Sequence, residues 1–400
     1  MEGSVFMLGL ALEGGGAKGA FHMGAFKAFL DEGYNFDGIA GTSIGALNGA
    51  IIAQGDFEAG YKLWENMDNS LFFDIEQMQM QKILNRKVDK ETIAYLSSKI
   101  KNVIDNKGLD TGKIRSLLDD IICEDKLRKS KMDLGIVTVS VPGLKPLELY
   151  KEDIPCGKIV DYLMASANFP IFKIEPIDGK FYIDGAFYDN CPINLLIRKG
   201  YKEIIAVRTL GIGRSRKMED ENVKVINIIP SENLGRTLNF DNTRIQTNLK
   251  MGYCDTVRMI KNLKGKNYYI LPENDELFFK SVISIPEEVI YKIGEVLLLP
   301  KMESRRMLFE KIFPAMAAYL DLPINSTYQD IIISLFECIA EERNIDKYKV
   351  RSFNDFVLDI KNNSLVNSGN IRKTKMLSVF AEEAIVKKVA VEVLNAFIVT

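Results

Sequence analysis

The chain has 400 residues, 47% hydrophobic and 26% charged, the composition of an ordinary globular protein, and its length predicts one large domain with an appendage or two domains. A net charge of −2 excludes the broad positive field that nucleic-acid binding needs and offers anionic lipid nothing beyond a local patch. Five scattered cysteines, Cys123, Cys156, Cys191, Cys254 and Cys338, odd in number and without a C-x-x-C pair, argue against a disulfide framework or a zinc site and for a reducing compartment.

The first residues, Met1 to Phe6, lack the basic region and long apolar core of a signal peptide, and no run approaches the ~20 apolar residues of a membrane span. A cytoplasmic, soluble protein is the expectation, one that would visit a membrane surface only if it acts on lipid.

Residues 5–12 form an apolar run of strand length, continuous rather than alternating, as in a buried parallel strand. It feeds Gly14-Gly15-Gly16-Ala17-Lys18-Gly19, and residues 20–30 continue as a helix. Glycines permit close backbone approach, and the helix start leaves N–H groups unpaired, so this turn is suited to an anion, either a phosphate or an oxyanion formed during a reaction. Lys18 at a helix start sits where a cation is unfavourable; it is expected to hold the loop or to meet a phosphate. His22, one turn into the helix, is expected to be a packed core histidine.

Residues 37–40 are a second short apolar run and lead into Gly41-Thr42-Ser43-Ile44-Gly45, followed by small and apolar residues to Ala53. A serine with glycines at minus two and plus two fits a tight strand-to-helix elbow that pushes the hydroxyl clear of the backbone. A different option comes from Gly14, Gly16 and Gly19, which satisfy G-x-G-x-x-G with Asp37 at about the right distance for a ribose contact, the pattern of a dinucleotide site.

Residues 56–67 extend as a helix carrying Trp64, and the Gln- and Lys-rich residues 70–107 are predicted to be a helical, partly exposed cap or a mobile lid. Residues 111–123 read as a helix, 134–141 and 146–150 as a hairpin turned at Pro142-Gly143, and 157–167 as a helix. Phe181-Tyr182-Ile183-Asp184-Gly185-Ala186 follows a turn at Asp178-Gly179 and puts Asp184 at the end of a short strand. Asp189 and Asn190 are read as turn formers; residues 203–209 and 223–229 are predicted buried strands, and 239–263 a helix.

In this order and spacing, GGGAKG, GTSIG and DGA resemble the patatin-like phospholipase family. Met164-Ala165-Ser166-Ala167-Asn168-Phe169-Pro170 resembles the family's segment ahead of its aspartate, and Gly108-Leu109-Asp110-Thr111 its mid-domain linker. The resemblance covers about residues 5–260. With alternating strands and helices, it implies an α/β fold, a mainly parallel sheet covered by helices, over residues 1–270. Residues 271–400 carry helix candidates at 287–299, 305–320, 328–342 and 378–397, a helical C-terminal appendage. In the last of these, Ile385, Val389, Leu394 and Phe397 form one stripe. The appendage is expected to pack on the α/β core; membrane docking or self-association into a homo-oligomer through this face is the sharper option.

Acyl transfer needs a nucleophile, a proton acceptor and donors for the tetrahedral oxyanion. Ser43 is the candidate nucleophile. With His22 the only histidine and no other downstream, Asp184 must take the serine proton directly, a Ser–Asp dyad that the resemblance also implies. Gly14, Gly15 and Gly16 with Lys18 are the candidates for the oxyanion hole, Gly41 and Gly45 frame the elbow, and Gly185 and Ala186 complete the DGA motif. The motifs hold no metal-ligand cluster, so hydrolysis is expected to need no calcium and no cofactor. The leading expectation is a lipid acyl hydrolase acting on phospholipids or lysophospholipids at a membrane surface; a dinucleotide-dependent oxidoreductase and a catalytically silent lipid-binding module are the alternatives.

Overall fold

A computed structural model describes residues 7–72, 109–141, 143–170, 172–173, 175–363 and 377–397. The expected cap at residues 70–107 lies outside them beyond residue 72, as do Pro142 of the predicted hairpin turn and Gly108 of the linker motif. The chain divides into two compact units, residues 1–256 and 257–400.

The first unit is built on a seven-stranded sheet in the order β4-β3-β2-β1-β6-β7, with β5 paired to β3 off that path. Strands β1 (Leu8–Leu12), β2 (Gly38–Thr42), β3 (Asp133–Val141), β6 (Glu203–Val207) and β7 (Lys224–Ile228) run parallel; β4 (Lys145–Tyr150) and β5 (Phe181–Asp184) pair with β3 antiparallel. Leu10, Ala11, Leu12, Ile39 and Ala40 are all fully buried, as a strand covered on both faces requires. Helices α1 (Ala20–Asp31) and α2 (Ile44–Ala53) follow β1 and β2, and the small residues of α2 let it lie close on the sheet: Ala46 and Ala50 are wholly buried. Residues 223–229, expected as a buried strand, are instead an edge strand in which β7 buries only Ile228, because among the described residues no strand pairs beyond it.

Register brings distant motifs together. Thr42, the last residue of β2, pairs with Val137, and Asp184, the last residue of β5, pairs with Thr138, the next residue along β3. Because β4 occupies the other edge of β3 over the same stretch, β2 and β5 lie end to end on one edge. Ser43 leaves β2 where β5 ends at Asp184. A separation of more than 140 residues in sequence is closed by one step of strand register.

The second unit is helical. Asp275–Ile283, Glu287–Val296, Ser304–Tyr319, Tyr328–Glu342, Phe353–Asn362 and Leu377–Ala396 surround one core that includes Phe278, Phe336, Phe353 and Phe397. The stripe of the last helix, expected to pack on the α/β core, goes instead into this core of its own unit, with Val389 fully buried and Leu394 and Phe397 nearly so. A two-residue parallel pairing, Tyr269–Ile270 with Val350–Arg351, is the strand element described here. No described helix is long and apolar enough to cross a membrane.

Candidate active site

Ser43 stands between β2 and α2 with φ 56° and ψ −127°, a left-handed backbone that a non-glycine residue adopts only under constraint. The constraint is visible on either side. A Cβ on Gly41 would come within 2.2 Å of the Gly45 carbonyl oxygen, and one on Gly45 within 2.2 Å of the Leu12 carbonyl oxygen, so only glycine lets the chain double back this tightly. The elbow is pinned from outside by Ser166, whose Oγ accepts the Ser43 N–H at 3.0 Å and donates to Val137 O at 2.7 Å. Ser43 itself is half-buried, and α2 points its amino end at it.

Asp184 is 2% exposed. Burial pushes its carboxyl from the usual 3.8 to about 7, against the Ala186 N–H, which donates to it, and the nearby Ser43 side chain, both of which pull it down. The Ala186 bond is 2.8 Å long and holds one carboxylate oxygen, Oδ1. The Asp184 backbone is fixed in turn by its N–H to Asn168 O at 2.9 Å. A carboxylate titrating near neutrality, close to an alcohol on a strained turn, is a far better proton acceptor than one in water.

The glycine turn after β1 lies against this pair: a Cβ on Gly14 would lie 3.2 Å from the Ser43 Cβ. Its amides are not equivalent. Gly14 N–H donates to Asn190 O at 2.9 Å and Ala17 N–H to Thr237 O at 2.7 Å, whereas Gly15 and Gly16 N–H have no partner among the described residues. The Gly14 N–H, expected as an oxyanion-hole candidate, is thus already engaged by Asn190, which leaves those of Gly15 and Gly16 as the open amides of the turn. The Lys18 ammonium is also occupied, donating to Leu210 O at 3.1 Å and Thr209 O at 3.4 Å, with its pKa lowered by burial. Of its two expected roles, this geometry is the loop-holding one.

Gly15, Gly16, Ser43 and Asp184 open into one cavity of about 360 Å³. Its walls are mostly apolar, with Ile44, Leu47, Ile114, Met164, Phe169, Phe172, Leu238 and Phe240, and Arg236 also lines it. The Arg236 guanidinium is exposed and has no hydrogen bond or ion pair among the described residues.

Residues 10–197 match the family model for patatin-like phospholipases. The chain carries a patatin-like domain. A patatin-like phospholipase domain-containing protein of Caenorhabditis elegans is 25% identical over 226 residues, 55% of this chain and 18% of that protein. The patatin-like phospholipase domain-containing protein 7 of Rattus norvegicus is 24% identical over 203 residues, 50% of this chain and 13% of its own length. A neuropathy target esterase of Drosophila persimilis is 52% identical over 44 residues, 11% of this chain and 3% of that protein. The chain thus spans less than a fifth of the length of these curated relatives. Among solved structures, VipD from Legionella pneumophila is similar at a TM-score of 0.39 and 17% identity, covering 98% of this chain and 85% of that one.

Other residues of the patatin-like domain fall into place around these motifs. His22 is wholly buried, its Nδ1 lies 3.3 Å from Asn48 Nδ2, and burial drives its pKa down to about 3, so it is a neutral core side chain. Asp37 sits at the amino end of β2, where its carboxylate accepts the Leu8 N–H at 2.9 Å. That is the opposite end of β1 from the glycine turn, on the order of 15–20 Å away at strand rise, out of reach of a ribose held at that turn. Asp189 and Asn190, expected as turn formers, are buried ties: Thr42 Oγ1 donates to Asp189 O at 2.7 Å, and Asn190 O takes the Gly14 N–H.

Glu13 and Thr209 were not anticipated. Buried Glu13 accepts Thr209 N–H at 2.7 Å and Leu210 N–H at 2.9 Å with Oε2, and pairs through Oε1 with Arg208 at 3.0 Å. Thr209 Oγ1 donates to Gly14 O at 2.6 Å. A charged residue closing an otherwise apolar strand, directly before three glycines, was the signal in the sequence for Glu13; Thr209 offered none.

Proposed function

We propose that the chain is a serine acyl hydrolase that cleaves carboxylic ester bonds of phospholipids or lysophospholipids through a Ser43–Asp184 dyad. The observation that carries this reading is that strand register brings a strained, half-buried Ser43 beside a buried Asp184 in the wall of one apolar cavity.

In this mechanism an acyl chain lies along the apolar walls and presents its ester carbonyl to Ser43. Ionised Asp184 takes the proton from Ser43 Oγ as the oxygen attacks the carbonyl carbon, and the oxyanion that forms is met by the Gly15 and Gly16 N–H groups. The protonated Asp184 then gives its proton to the departing alcohol oxygen as the tetrahedral intermediate collapses, leaving an acyl-serine. Water follows the same course, deprotonated by Asp184, and releases the fatty acid with Ser43 restored. Each amide donor of this kind contributes about 100- to 1000-fold in rate, so two such donors and one matched base supply most of the chemistry.

Two observations support a phosphate-bearing substrate and oppose a dinucleotide. The unpartnered Arg236 guanidinium on the cavity wall suits the phosphodiester of a lipid head group, and arginine is the side chain best shaped for that contact. Asp37, the acidic residue a dinucleotide site would use, is committed to the Leu8 N–H at the wrong end of the sheet.

The test is product analysis by mass spectrometry on mixed phospholipid and lysophospholipid vesicles. Wild type is expected to release free fatty acid, and Ser43→Ala and Asp184→Ala to release none above background. Equal product from all three proteins ends the proposal. Failure of a fluorophosphonate probe to label Ser43 in wild type would favour a silent lipid-binding module instead.

A further inference from the structure

The proposed chemistry depends on the Gly15 N–H facing the cavity, and nothing in the backbone around it fixes that direction. The Gly14–Gly15 peptide has glycine on both sides, and glycine tolerates either sense of rotation, so the peptide could turn over with little intrinsic strain. Because a trans peptide sets its C=O and the next N–H in opposite directions, whatever holds the Gly14 carbonyl also aims the Gly15 N–H.

Three facts identify what holds it. Thr209 Oγ1 donates to Gly14 O at 2.6 Å, the shorter of its two side-chain bonds; the other, from Asn190 Nδ2, is 3.3 Å long. Thr209 is 1% exposed and is itself fixed by its N–H to Glu13 Oε2 at 2.7 Å, so its hydroxyl cannot follow a peptide that turns. There is also no room beside it: a Cβ on Gly15 would lie 2.5 Å from Thr209 Oγ1, and one on Gly211 would lie 2.1 Å from Gly14 O. Glu13 ends β1 and Thr209 follows β6, neighbours in the sheet, so the clamp is set by strand pairing rather than by the turn.

We propose that Thr209 is a positioning residue for catalysis: its hydroxyl locks the Gly14–Gly15 peptide with the carbonyl outward, so that the Gly15 N–H points at the site where the oxyanion forms. This rests on the esterase function proposed above. Without the hydroxyl, a buried carbonyl is left with one long bond, and turning it into the cavity, where water can reach it, becomes favourable. The turned peptide removes a donor and replaces it with a carbonyl that repels the oxyanion.

The experiment compares full-length Thr209→Val, Thr209→Ala and Thr209→Ser with wild type and Ser43→Ala, using p-nitrophenyl butyrate as the probe. Val and Ala are expected to lower kcat by about 10- to 100-fold with KM within about twofold, short of the full loss of a donor because part of the population keeps the productive peptide. Ser is expected to restore kcat to within about threefold. Crystal structures of wild type and Thr209→Val are expected to show the Gly14 carbonyl outward in the first and turned into the cavity in the second. Full kcat in Val, equal losses in Val, Ala and Ser, or an unturned carbonyl in Val each overturn the proposal. If wild type hydrolyses no better than Ser43→Ala, the esterase function fails instead, and the two crystal structures still decide whether Thr209 sets the peptide.

Discussion

Each unit buries a carboxylate, and the contrast between them sets a side chain proposed for chemistry against one kept for structure. Asp184 in the α/β unit and Glu337 in the helical unit are 2% and 5% exposed, and burial raises the pKa of both. Glu337 is repaid by backbone: its Oε1 accepts Asn267 N–H and Tyr268 N–H, each at 2.9 Å, and it ties the chain entering the unit to the helix Tyr328–Glu342. Asp184 has one backbone donor, Ala186 N–H, and its remaining capacity faces a serine. A buried carboxyl left under-served by backbone donors, beside the proposed nucleophile on its strained turn, is expected to lower stability in exchange for reactivity.

The sharpest way to break this contrast is Asp184→Asn, which keeps an acceptor oxygen for Ala186 N–H but cannot take a proton. Turnover is expected to fall by at least about 1000-fold, as for loss of an essential base in a nucleophile–base unit. The sign of the stability effect is opposite. With a folded pKa of about 7 against about 3.9 unfolded, Asp184 holds a proton in the folded chain that the unfolded chain has lost, so its contribution to stability declines as pH rises from 4 to 7. The Asn variant is therefore expected to gain stability relative to wild type across that window, with denaturant midpoints at pH 5 and pH 8 as the measure. Wild-type kcat should rise with pH through about 7 and then level off. A variant that is both inactive and less stable at pH 8 would show that Asp184 serves the fold as Glu337 does.

Gly45→Ala probes the strain rather than the base. Its Cβ would lie 2.2 Å from Leu12 O, a backbone atom that cannot yield cheaply, so the elbow must open and carry Ser43 with it. Stability should fall by about 1–3 kcal/mol, the cost of forcing atoms into a packed site, and turnover by about 100-fold or more as the nucleophile leaves its position. Chemical denaturation and p-nitrophenyl butyrate hydrolysis on the same preparation read both quantities; a variant with wild-type kcat would mean the elbow need not be this tight.

Arg236→Ala is expected to act on binding alone. KM for a phosphate-bearing lysophospholipid should rise about three- to tenfold, the scale of one exposed charge-assisted contact, while kcat and the KM for a neutral ester stay within about twofold. Equal changes for both substrates would remove Arg236 from head-group recognition.

How much of this was legible in the sequence follows from how local each signal is. The elbow could be read because its signal, a serine with glycines at minus two and plus two, lies within five residues, Gly41 to Gly45, and the glycine turn because it abuts a strand. The β2–β5 junction that joins Ser43 to Asp184 was implied by motif resemblance, while its physical cause, one step of register along β3, cannot be seen without pairing. Thr209 and Ser166 were opaque for the same reason: each acts across a gap of more than 100 residues through one hydrogen bond. The helices Asp275–Ile283 and Phe353–Asn362 went unpredicted despite local signals, since Asn274 caps Glu276 and Leu277 N–H and Ser352 caps Asp355 N–H.

The smallest expected effect on turnover is the one that completes the contrast. Glu337→Gln preserves shape and leaves one acceptor oxygen, but a neutral amide serves the Asn267 and Tyr268 N–H groups less well than a carboxylate does. The loss should be about 1–2 kcal/mol, the difference between charge-assisted and neutral hydrogen bonds to buried donors, with kcat of the folded protein unchanged. The pH trend should run in the same direction as for Asp184→Asn, so the two variants are told apart by the sign of the stability change and by kcat. Burial raises the folded pKa of Glu337 too, so part of what the carboxylate contributes is already lost at high pH, and the gap between Gln and wild type should narrow as pH rises. Denaturant midpoints at pH 5 and pH 8, set beside kcat on p-nitrophenyl butyrate, test this. A fall in kcat on Glu337→Gln would mean that the helical unit contributes to turnover as well as to its own packing.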